Sequence, residues 1–282
     1  MAEDAVQPEH KHSVFYVSDR TGITAETLGR SLLTQFEGVV ARQARWPFLD
    51  TPDKAQEAVD RLNQIAEEEG ERPIVFSTLI DSELRGIINQ ANAVIIDFFD
   101  TFNSRLEQEL GVPASRVVGR SHGIHDYSAY TARIDSLNFA LATDDGITTR
   151  NYPAADIILI GVSRSGKTPT CLYLALQYGV LAANYPITEE DLGNNRLPEV
   201  LQPYRDKLFG LTIDPERLHH IRSERRPNSR YASVDQCRYE LDRVEGMYRA
   251  EAIHHLNTTS MSIEEIATSL LHAAGLERRL LS

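Results

Sequence analysis

The stretch Asp156-Ile-Ile-Leu-Ile-Gly161-Val-Ser-Arg-Ser-Gly166-Lys167-Thr168 decides the fold. The apolar run 157–160 predicts a buried strand, and the residues after Gly166 predict a helix that ends near Tyr178, before Gly179. Between them the chain fits the spacing G-x-x-x-x-G-K-[ST] without a mismatch. A strand, a glycine-rich loop and a helix in this order are typical of a phosphate-binding loop in a parallel α/β sheet.

Each position of this loop has a chemical reason. The two glycines permit backbone conformations that turn amide groups inward, where they can hold phosphate oxygens. The lysine ammonium can reach the terminal phosphates, and the threonine hydroxyl can ligate Mg²⁺. We therefore predict that the nucleotide-binding residues are Gly161, Val162, Ser163, Arg164, Ser165, Gly166, Lys167 and Thr168.

Strand and helix patterns alternate along the rest of the chain, which predicts an α/β fold. Residues 1–12 read as a flexible tail, and residues 13–150 as an N-terminal α/β domain with a parallel sheet. Residues 151–282 read as a P-loop phosphotransferase domain of the kinase-like α/β type. We place the boundary near Tyr152-Pro153.

The composition favours a cytoplasmic globular protein. The 282 residues are 41% hydrophobic and 25% charged, which suits a folded chain with a substantial core. A net charge of -12 argues against general nucleic-acid binding. We expect no signal peptide and no membrane span, because no apolar run approaches the roughly 20 residues that cross a bilayer. Two cysteines outside any CxxC pair indicate a reducing compartment.

A phosphate-binding loop also needs a carboxylate for the water shell of Mg²⁺, and it commonly follows an apolar strand. Asp97 and Asp214 both follow such strands, and the sequence does not decide between them. Asp214 also has the pattern of a helix cap, because Pro215 follows it. The pair Asp144-Asp145 is a third candidate, although two carboxylates before a glycine often form a solvated turn.

Five arginines against one glutamate stand out between residues 217 and 230 of this acidic chain. Arginines on a mobile segment can neutralise the charge of a transferring phosphoryl group. We predict that Arg222, Arg225 and Arg226 form a phosphate clamp, with a solvated helix face as the alternative.

Two other polar segments are candidates for phosphate chemistry. His122 and His125 lie near Asp126 in the sequence. These histidines either have an acid–base role or are polar residues of an ordinary loop, and the sequence leaves both alternatives open. A metal pair is improbable there because the segment has no third ligand. The segment Ser18-Asp-Arg-Thr-Gly22, between a strand and a helix, is either a second anion-binding turn or an ordinary capped turn.

Several longer motifs resemble the bacterial phosphoenolpyruvate synthase regulatory proteins, whose close relatives regulate pyruvate, phosphate dikinase. The resemblance extends from Val14 to the C-terminus. The motifs that carry it are Val17-Ser-Asp-Arg-Thr-Gly-Ile-Thr-Ala-Glu26, Ser121-His-Gly123, Asp144-Asp-Gly146, Gly161-Val-Ser-Arg-Ser-Gly-Lys-Thr-Pro169, Ala183-Asn-Tyr-Pro186, Leu211-Thr-Ile-Asp-Pro-Glu-Arg217 and Asn228-Ser-Arg-Tyr-Ala232.

The resemblance implies two opposed activities. One is an ADP-dependent serine/threonine protein kinase that phosphorylates a threonine of phosphoenolpyruvate synthase and inactivates it. The other is a phosphorylase that uses inorganic phosphate to remove that group as pyrophosphate. ADP, inorganic phosphate and Mg²⁺ are the expected cofactors and co-substrates, and a homodimer is expected. The catalytic candidates are Lys167, Thr168, Asp97 and His122, with Asp126 as a further candidate base.

Two other functions fit a P-loop of this kind. One is a small-molecule or nucleotide kinase, which would leave the first 150 residues without a role. The other is a switch that binds nucleotide and performs no chemistry. We predict that Lys167→Ala abolishes kinase activity, because it removes the charge that contacts the terminal phosphate. A wild-type protein that binds ADP and transfers nothing would favour the switch.

Overall fold

The computed structural model describes residues 10–115, 127–146, 148–194 and 196–276. The chain divides into two compact units, Met1–Gly123 and Ile124–Ser282. Each unit holds a four-stranded sheet whose neighbouring strands are all parallel. The predicted α/β fold class is therefore confirmed. Across the described ranges, no helix is both long and apolar enough to cross a membrane.

The first unit alternates strands and helices along the chain. Its sheet has the strand order β2-β1-β3-β4. The elements are β1 His10–Val17, α1 Ile23–Leu33, β2 Val39–Trp46, α2 Pro52–Glu69, β3 Ile74–Ser77, α3 Ser82–Ile88, β4 Val94–Asp97 and α4 Phe98–Leu110.

The second unit begins with a helix and then repeats the same alternation. Its sheet has the order β6-β5-β7-β8. The elements are α5 Tyr127–Ala142, β5 Ile157–Gly161, α6 Lys167–Tyr178, β6 Ala182–Pro186, β7 Leu208–Thr212, α7 Pro215–Arg225, α8 Val234–Ala250, β8 His255–Asn257 and α9 Ile263–Ala274.

The strand before the glycine-rich loop is buried because helices cover both faces of its sheet. Ile157 and Leu159 pack into the same cluster as Leu174 of α6 and Ile266 of α9. Residues 158 and 160 point to the opposite face and pack with residues of α7 and α8. Burial on both faces explains why β5 is an unbroken apolar run without polar alternation.

Two elements differ from the sequence-based prediction. β2 was not predicted, because it is an edge strand whose side chains are largely exposed and lack a strong apolar pattern. The helix α5 was not predicted either, and it packs on α6 and β6. The contacts of α5 assign it to the second unit, whereas the predicted boundary lay near Tyr152-Pro153.

Several helix ends follow the capping patterns of the sequence. The side chain of Asp214 accepts a hydrogen bond from the Arg217 amide, and Pro215 is the first residue of α7. Ser262 and Glu265 form a reciprocal capping box at the start of α9. The cap predicted at Asp214 is confirmed, because a helix cap depends only on residues within one turn.

Candidate active site

The loop between β5 and α6 exposes backbone amides at the carboxyl end of the second sheet. A Cβ atom at Gly161 would lie 2.6 Å from the carbonyl oxygen of Leu211 on β7, so a larger residue does not fit. Gly166 has the left-handed conformation at φ 93° and precedes α6 without a side-chain cap. The first-turn amides of α6 therefore have no capping side chain, as in helix starts that bind anions.

The middle of the loop holds a strained conformation. Arg164 has φ 76°, a left-handed conformation that costs a residue with a side chain about 1–3 kcal/mol. The hydroxyl of Thr258 donates to the carbonyls of Ser165 and Thr212, at 3.3 and 3.1 Å, which ties the loop to the strand edge. The buried Ser165 Oγ has no hydrogen-bond partner among the described residues. The surrounding structure thus holds the loop in a shape that local preference would not select.

Lys167 lies inside the loop with only 4% of its surface exposed. Its Nζ donates to the Val162 carbonyl at 2.9 Å. Burial lowers the pKa of Lys167 to about 8, and the nearby carboxylates of Asp145 and Asp144 oppose this shift. A bound phosphate would supply the missing counter-charge and favour the protonated form.

Asp144 is the carboxylate that contacts the loop threonine. The Thr168 hydroxyl donates to Asp144 Oδ1 at 2.7 Å. Asn184 on β6, which is fully buried, donates from Nδ2 to the same oxygen at 2.6 Å. Its own Oδ1 accepts a hydrogen bond from the Asp145 amide at 3.1 Å. Asn184 therefore fixes both the carboxylate and the turn that carries it.

The Mg²⁺ role of Asp214 stays a prediction, and the contact of Thr168 favours Asp144. The Asp214 carboxylate accepts from the Arg217 amide at 3.0 Å as the cap of α7, whereas Thr168 is bonded to Asp144. In the sequence the Asp144-Asp145 pair is only the third candidate. It ranked low because a solvated turn and a carboxylate site look alike in sequence.

Asp97 belongs to the first unit and caps α4. Its Oδ1 accepts from the Asp100 amide at 2.8 Å, and its Oδ2 accepts from the Ser77 hydroxyl at 3.3 Å. Burial raises the pKa of Asp97, against the hydrogen bond from Asp100 and the nearby charge of Arg85. Its role as a catalytic base stays a prediction.

Arg222 is not the mobile clamp that the sequence predicted. Its side chain is fully buried and donates to the Ser163 carbonyl from Nε at 3.3 Å and from Nη2 at 3.1 Å. It also donates to Glu240 at 2.7 Å and to the Tyr231 carbonyl at 3.0 Å, and it lies 4.2 Å from the centre of the Tyr231 ring. Arg222 therefore stabilises the phosphate-binding loop from the buried interior of the second unit.

A cavity of about 250 Å³ opens beside the loop. Arg225 is exposed and lines it, and its clamp role stays a prediction. Arg226 is exposed at the end of α7, and its clamp role stays a prediction. The residues that line the cavity are Asp145, Ser163, Arg164, Gly166, Lys167, Thr168, Pro169, Ile221 and Arg225.

His122 lies outside the described residues, as do His125 and Asp126. Their predicted acid–base roles therefore stay predictions.

Known proteins match this chain along nearly its whole length. The family model described as kinase/pyrophosphorylase matches residues 14–271. The chain belongs to the kinase/pyrophosphorylase family. Proteins of Alkalilimnicola ehrlichii and Legionella pneumophila are each 56% identical to it, over 96% of this chain and 99% and 100% of their own lengths. A protein of Halorhodospira halophila is 57% identical, over 94% of this chain and 97% of its own length. All three are provisionally named phosphoenolpyruvate synthase regulatory proteins.

The site of this kinase/pyrophosphorylase family member includes residues that sequence reasoning missed. Asn184, Tyr231 and Glu240 were not predicted as site residues, although Asn184 and Tyr231 lie in motifs that carried the family resemblance. A buried asparagine within a largely apolar strand is a usable signal, because a buried amide needs hydrogen-bond partners. No comparable local signal marks Glu240, whose partner Arg222 lies 18 residues away.

The residues present fit a magnesium ion that arrives with a nucleotide. Among the residues with described positions, no group of three His, Cys, Asp or Glu side chains could hold a metal ion. Mg²⁺ in phosphotransferases is commonly held by one or two protein oxygens together with phosphates and water. The Thr168 hydroxyl and the Asp144 carboxylate, 2.7 Å apart beside the loop, supply such oxygens.

Proposed function

We propose that this protein reversibly phosphorylates phosphoenolpyruvate synthase. In one direction it would transfer a phosphoryl group from ADP to a threonine of the synthase and inactivate it. In the other it would use inorganic phosphate to remove that group as pyrophosphate. The observation that carries the proposal is that Lys167 and Thr168, at the start of α6, line one cavity, and that Thr168 is bonded to Asp144.

Family membership and the names of the relatives support the choice of target. The relatives named for phosphoenolpyruvate synthase regulation match nearly the full length of this chain, so both units are shared with them. A P-loop kinase that acts on small molecules would not require the first unit. The protein substrate is therefore the more economical proposal.

The two directions make closely related demands on the site. In the kinase direction a threonine oxygen attacks the terminal phosphorus of ADP, the bond to the bridging oxygen breaks, and AMP leaves. In the other direction a phosphate oxygen attacks the phosphothreonine phosphorus, and the threonine oxygen leaves and takes up a proton. Both steps need positioning and neutralisation of phosphate charge more than covalent assistance from the protein.

The chain's own residues would divide this work. The first-turn amides of α6 would hold phosphate oxygens, and Lys167 would turn from the Val162 carbonyl to the transferring group. Arg225, which also lines the cavity, would add a second positive charge. Thr168 and Asp144 would orient Mg²⁺, which when bound neutralises charge across the phosphates.

The proton acceptor of the kinase step is proposed among Asp97, His122 and Asp126. A base near the threonine hydroxyl would accept its proton in one direction and return it in the other. Replacing each residue in turn, and measuring transfer separately from ADP binding, identifies the base. Its loss would reduce transfer and leave ADP affinity unchanged.

The decisive experiment uses purified phosphoenolpyruvate synthase, phosphoenolpyruvate, ADP and Mg²⁺. We expect synthase activity to fall while phosphate appears on a synthase threonine. After ADP is removed and inorganic phosphate is added, activity should return with pyrophosphate as the product. Phosphorylation of a small metabolite with no change in the synthase would favour the small-molecule kinase. ADP binding without any transfer would favour the nucleotide switch.

The same proposal includes a cytoplasmic homodimer, which the family resemblance implies. Sedimentation equilibrium of the purified full chain tests the dimer. A monomer at micromolar concentration would contradict the proposed homodimer and would leave the catalytic proposal unaffected.

A further inference from the structure

The cavity beside the phosphate-binding loop holds the groups that would bind the transferring phosphoryl group. Lys167 and Thr168 both line it. A threonine hydroxyl that attacks phosphorus there needs an acceptor that orients it and takes its proton. That acceptor has to lie within reach of the same cavity, because the hydroxyl and the phosphorus meet in it.

Asp145 is a carboxylate in the wall of this cavity. Of the described residues that line the cavity, Asp145 alone has an acidic side chain. It is exposed, whereas the neighbouring Asp144 is partly buried and accepts hydrogen bonds from Thr168 and Asn184. Two adjacent carboxylates thus have different surroundings, one engaged with side chains of the protein and one open to the cavity. In enzyme sites, carboxylates in such different surroundings have different roles.

The carboxylate of Asp145 is available to a substrate. Within the described ranges, no group donates a hydrogen bond to it and no cation forms an ion pair with it. Asp97 differs in this respect, because its two oxygens accept from the Asp100 amide and the Ser77 hydroxyl. A hydroxyl that enters the cavity therefore meets an acceptor without a competing donor at Asp145.

The backbone of Asp145 has an unfavourable conformation that the surrounding structure maintains. Its φ is 50° and its ψ is 27°, in the left-handed region that suits glycine best. Aspartate tolerates this region better than most residues, so the conformation alone does not indicate a function. Here the buried Asn184 holds the turn, because its Oδ1 accepts from the Asp145 amide at 3.1 Å. A strained residue that is held in place beside a cavity is typical of a functional site.

We propose that Asp145 orients the threonine hydroxyl of the protein substrate and accepts its proton. In this step the threonine oxygen bonds to the terminal phosphorus of ADP, the bond from that phosphorus to the bridging oxygen breaks, and AMP leaves. The hydroxyl proton moves to the Asp145 carboxylate and from there to water. This inference rests on the proposed function, and it adds a residue to the candidate bases Asp97, His122 and Asp126.

The test compares Asp145→Asn with the wild-type full chain. Transfer from radiolabelled ADP to phosphoenolpyruvate synthase is measured in Mg²⁺, and ADP affinity is measured by calorimetry. Asparagine has the same size and tolerates the left-handed conformation, but it takes up no proton. We expect transfer to slow by about a hundredfold or more. The affinity for ADP should be unchanged or higher, because the carboxylate repels phosphate.

Two further variants separate the carboxylate of Asp145 from its backbone strain. Asp145→Gly removes the side chain and fits the same backbone, so the protein should stay as resistant to urea while transfer slows as in Asp145→Asn. Ala252→Gly is the matched control, because Ala252 has a similar φ of 54°, is exposed and is not among the residues that line the cavity. It should leave the rate of transfer unchanged.

The possible results separate this inference from the proposed function. A wild-type protein that transfers nothing contradicts the proposed function and this inference together. Transfer at equal rates by the wild-type and Asp145→Asn proteins overturns the role of Asp145 alone. If Asp145→Asn binds ADP more weakly in Mg²⁺ but not in EDTA, Asp145 is a metal ligand, and the inference is overturned as well. A slow Asp97→Asn protein beside a normal Asp145→Asn protein would assign the base to Asp97.

Discussion

At the scale of single residues, Lys167 is the group on which the proposed chemistry depends most. It is enclosed by the loop and bonded to the Val162 carbonyl, so its charge is held where phosphate would bind. We expect Lys167→Ala to lower the rate of transfer to phosphoenolpyruvate synthase by about a hundredfold or more, because preorganised charge is lost. A radiolabel transfer assay measures it. A variant with the normal rate would contradict the catalytic role.

The lowered pKa of Lys167 gives a second prediction. Only the protonated amine attracts phosphate, and its pKa in the free protein is about 8. Binding should therefore weaken as pH rises through about 8, approaching tenfold per pH unit above it. Calorimetric titration of ADP between pH 7 and pH 10 tests this. The Lys167→Ala protein should bind ADP more weakly, and its affinity should not fall further as the pH rises above 8. An identical pH profile in both proteins would refute the role of Lys167 in binding phosphate.

Asn184 and Asp144 should act as one unit. Asp144→Asn removes the carboxylate beside Thr168, and Asn184→Ala removes the two hydrogen bonds that fix it. Each change should weaken ADP binding about tenfold in the presence of Mg²⁺ and much less in EDTA. The reason is that each change removes only the contribution that Mg²⁺ makes to the affinity for ADP.

A double-mutant cycle checks this coupling. The double variant should bind ADP about as weakly as either single variant, since the second change removes an interaction that is already lost. Urea unfolding controls for lost stability. Fully additive losses would show that Asn184 acts independently of Asp144.

At the scale of elements, the buried Arg222 joins α7 and α8 to the phosphate-binding loop. Arg222→Met leaves Glu240 without its partner in a largely buried setting, and we expect a loss of about 3–5 kcal/mol in the free energy of unfolding. Arg230→Met is the control, because the Arg230–Glu189 pair is exposed and should contribute about 1 kcal/mol or less.

Urea unfolding of both arginine variants measures the difference. Similar losses for the buried and the exposed pair would contradict the supporting role of Arg222. ADP affinity of Arg222→Met, measured in the folded range, should fall as well, because the Ser163 carbonyl loses its donors.

At the scale of the whole molecule, two units carry separate sheets and separate hydrophobic clusters. A ligand stabilises the unit that binds it, by about 2.7 kcal/mol at one hundred times its dissociation constant. We expect ADP with Mg²⁺ to slow amide hydrogen exchange in β5 and β7 and to leave β1 and β3 nearly unchanged. Mass spectrometry of the full chain measures both, with Lys167→Ala as the control. Equal protection of the two sheets would contradict the assignment of the nucleotide to the second unit.

The sequence by itself determined the features that depend on neighbouring residues. The strand–loop–helix unit around Gly166, the end of α6 at Tyr178 and the cap at Asp214 followed from local spacing. Such patterns are readable because one turn of helix or one buried strand carries its own signal.

Only the tertiary structure decided which distant residues meet. Asp144 reaches Thr168 across 24 positions, Asn184 reaches Asp144 across 40, and Arg222 reaches Ser163 across 59. An aspartate before a glycine or an arginine in a basic run has the same local sequence whether it is solvated or buried. The packing of β6 against the Asp144-Asp145 turn and of α7 against the loop removed that ambiguity, because burial forces each polar group to find a partner.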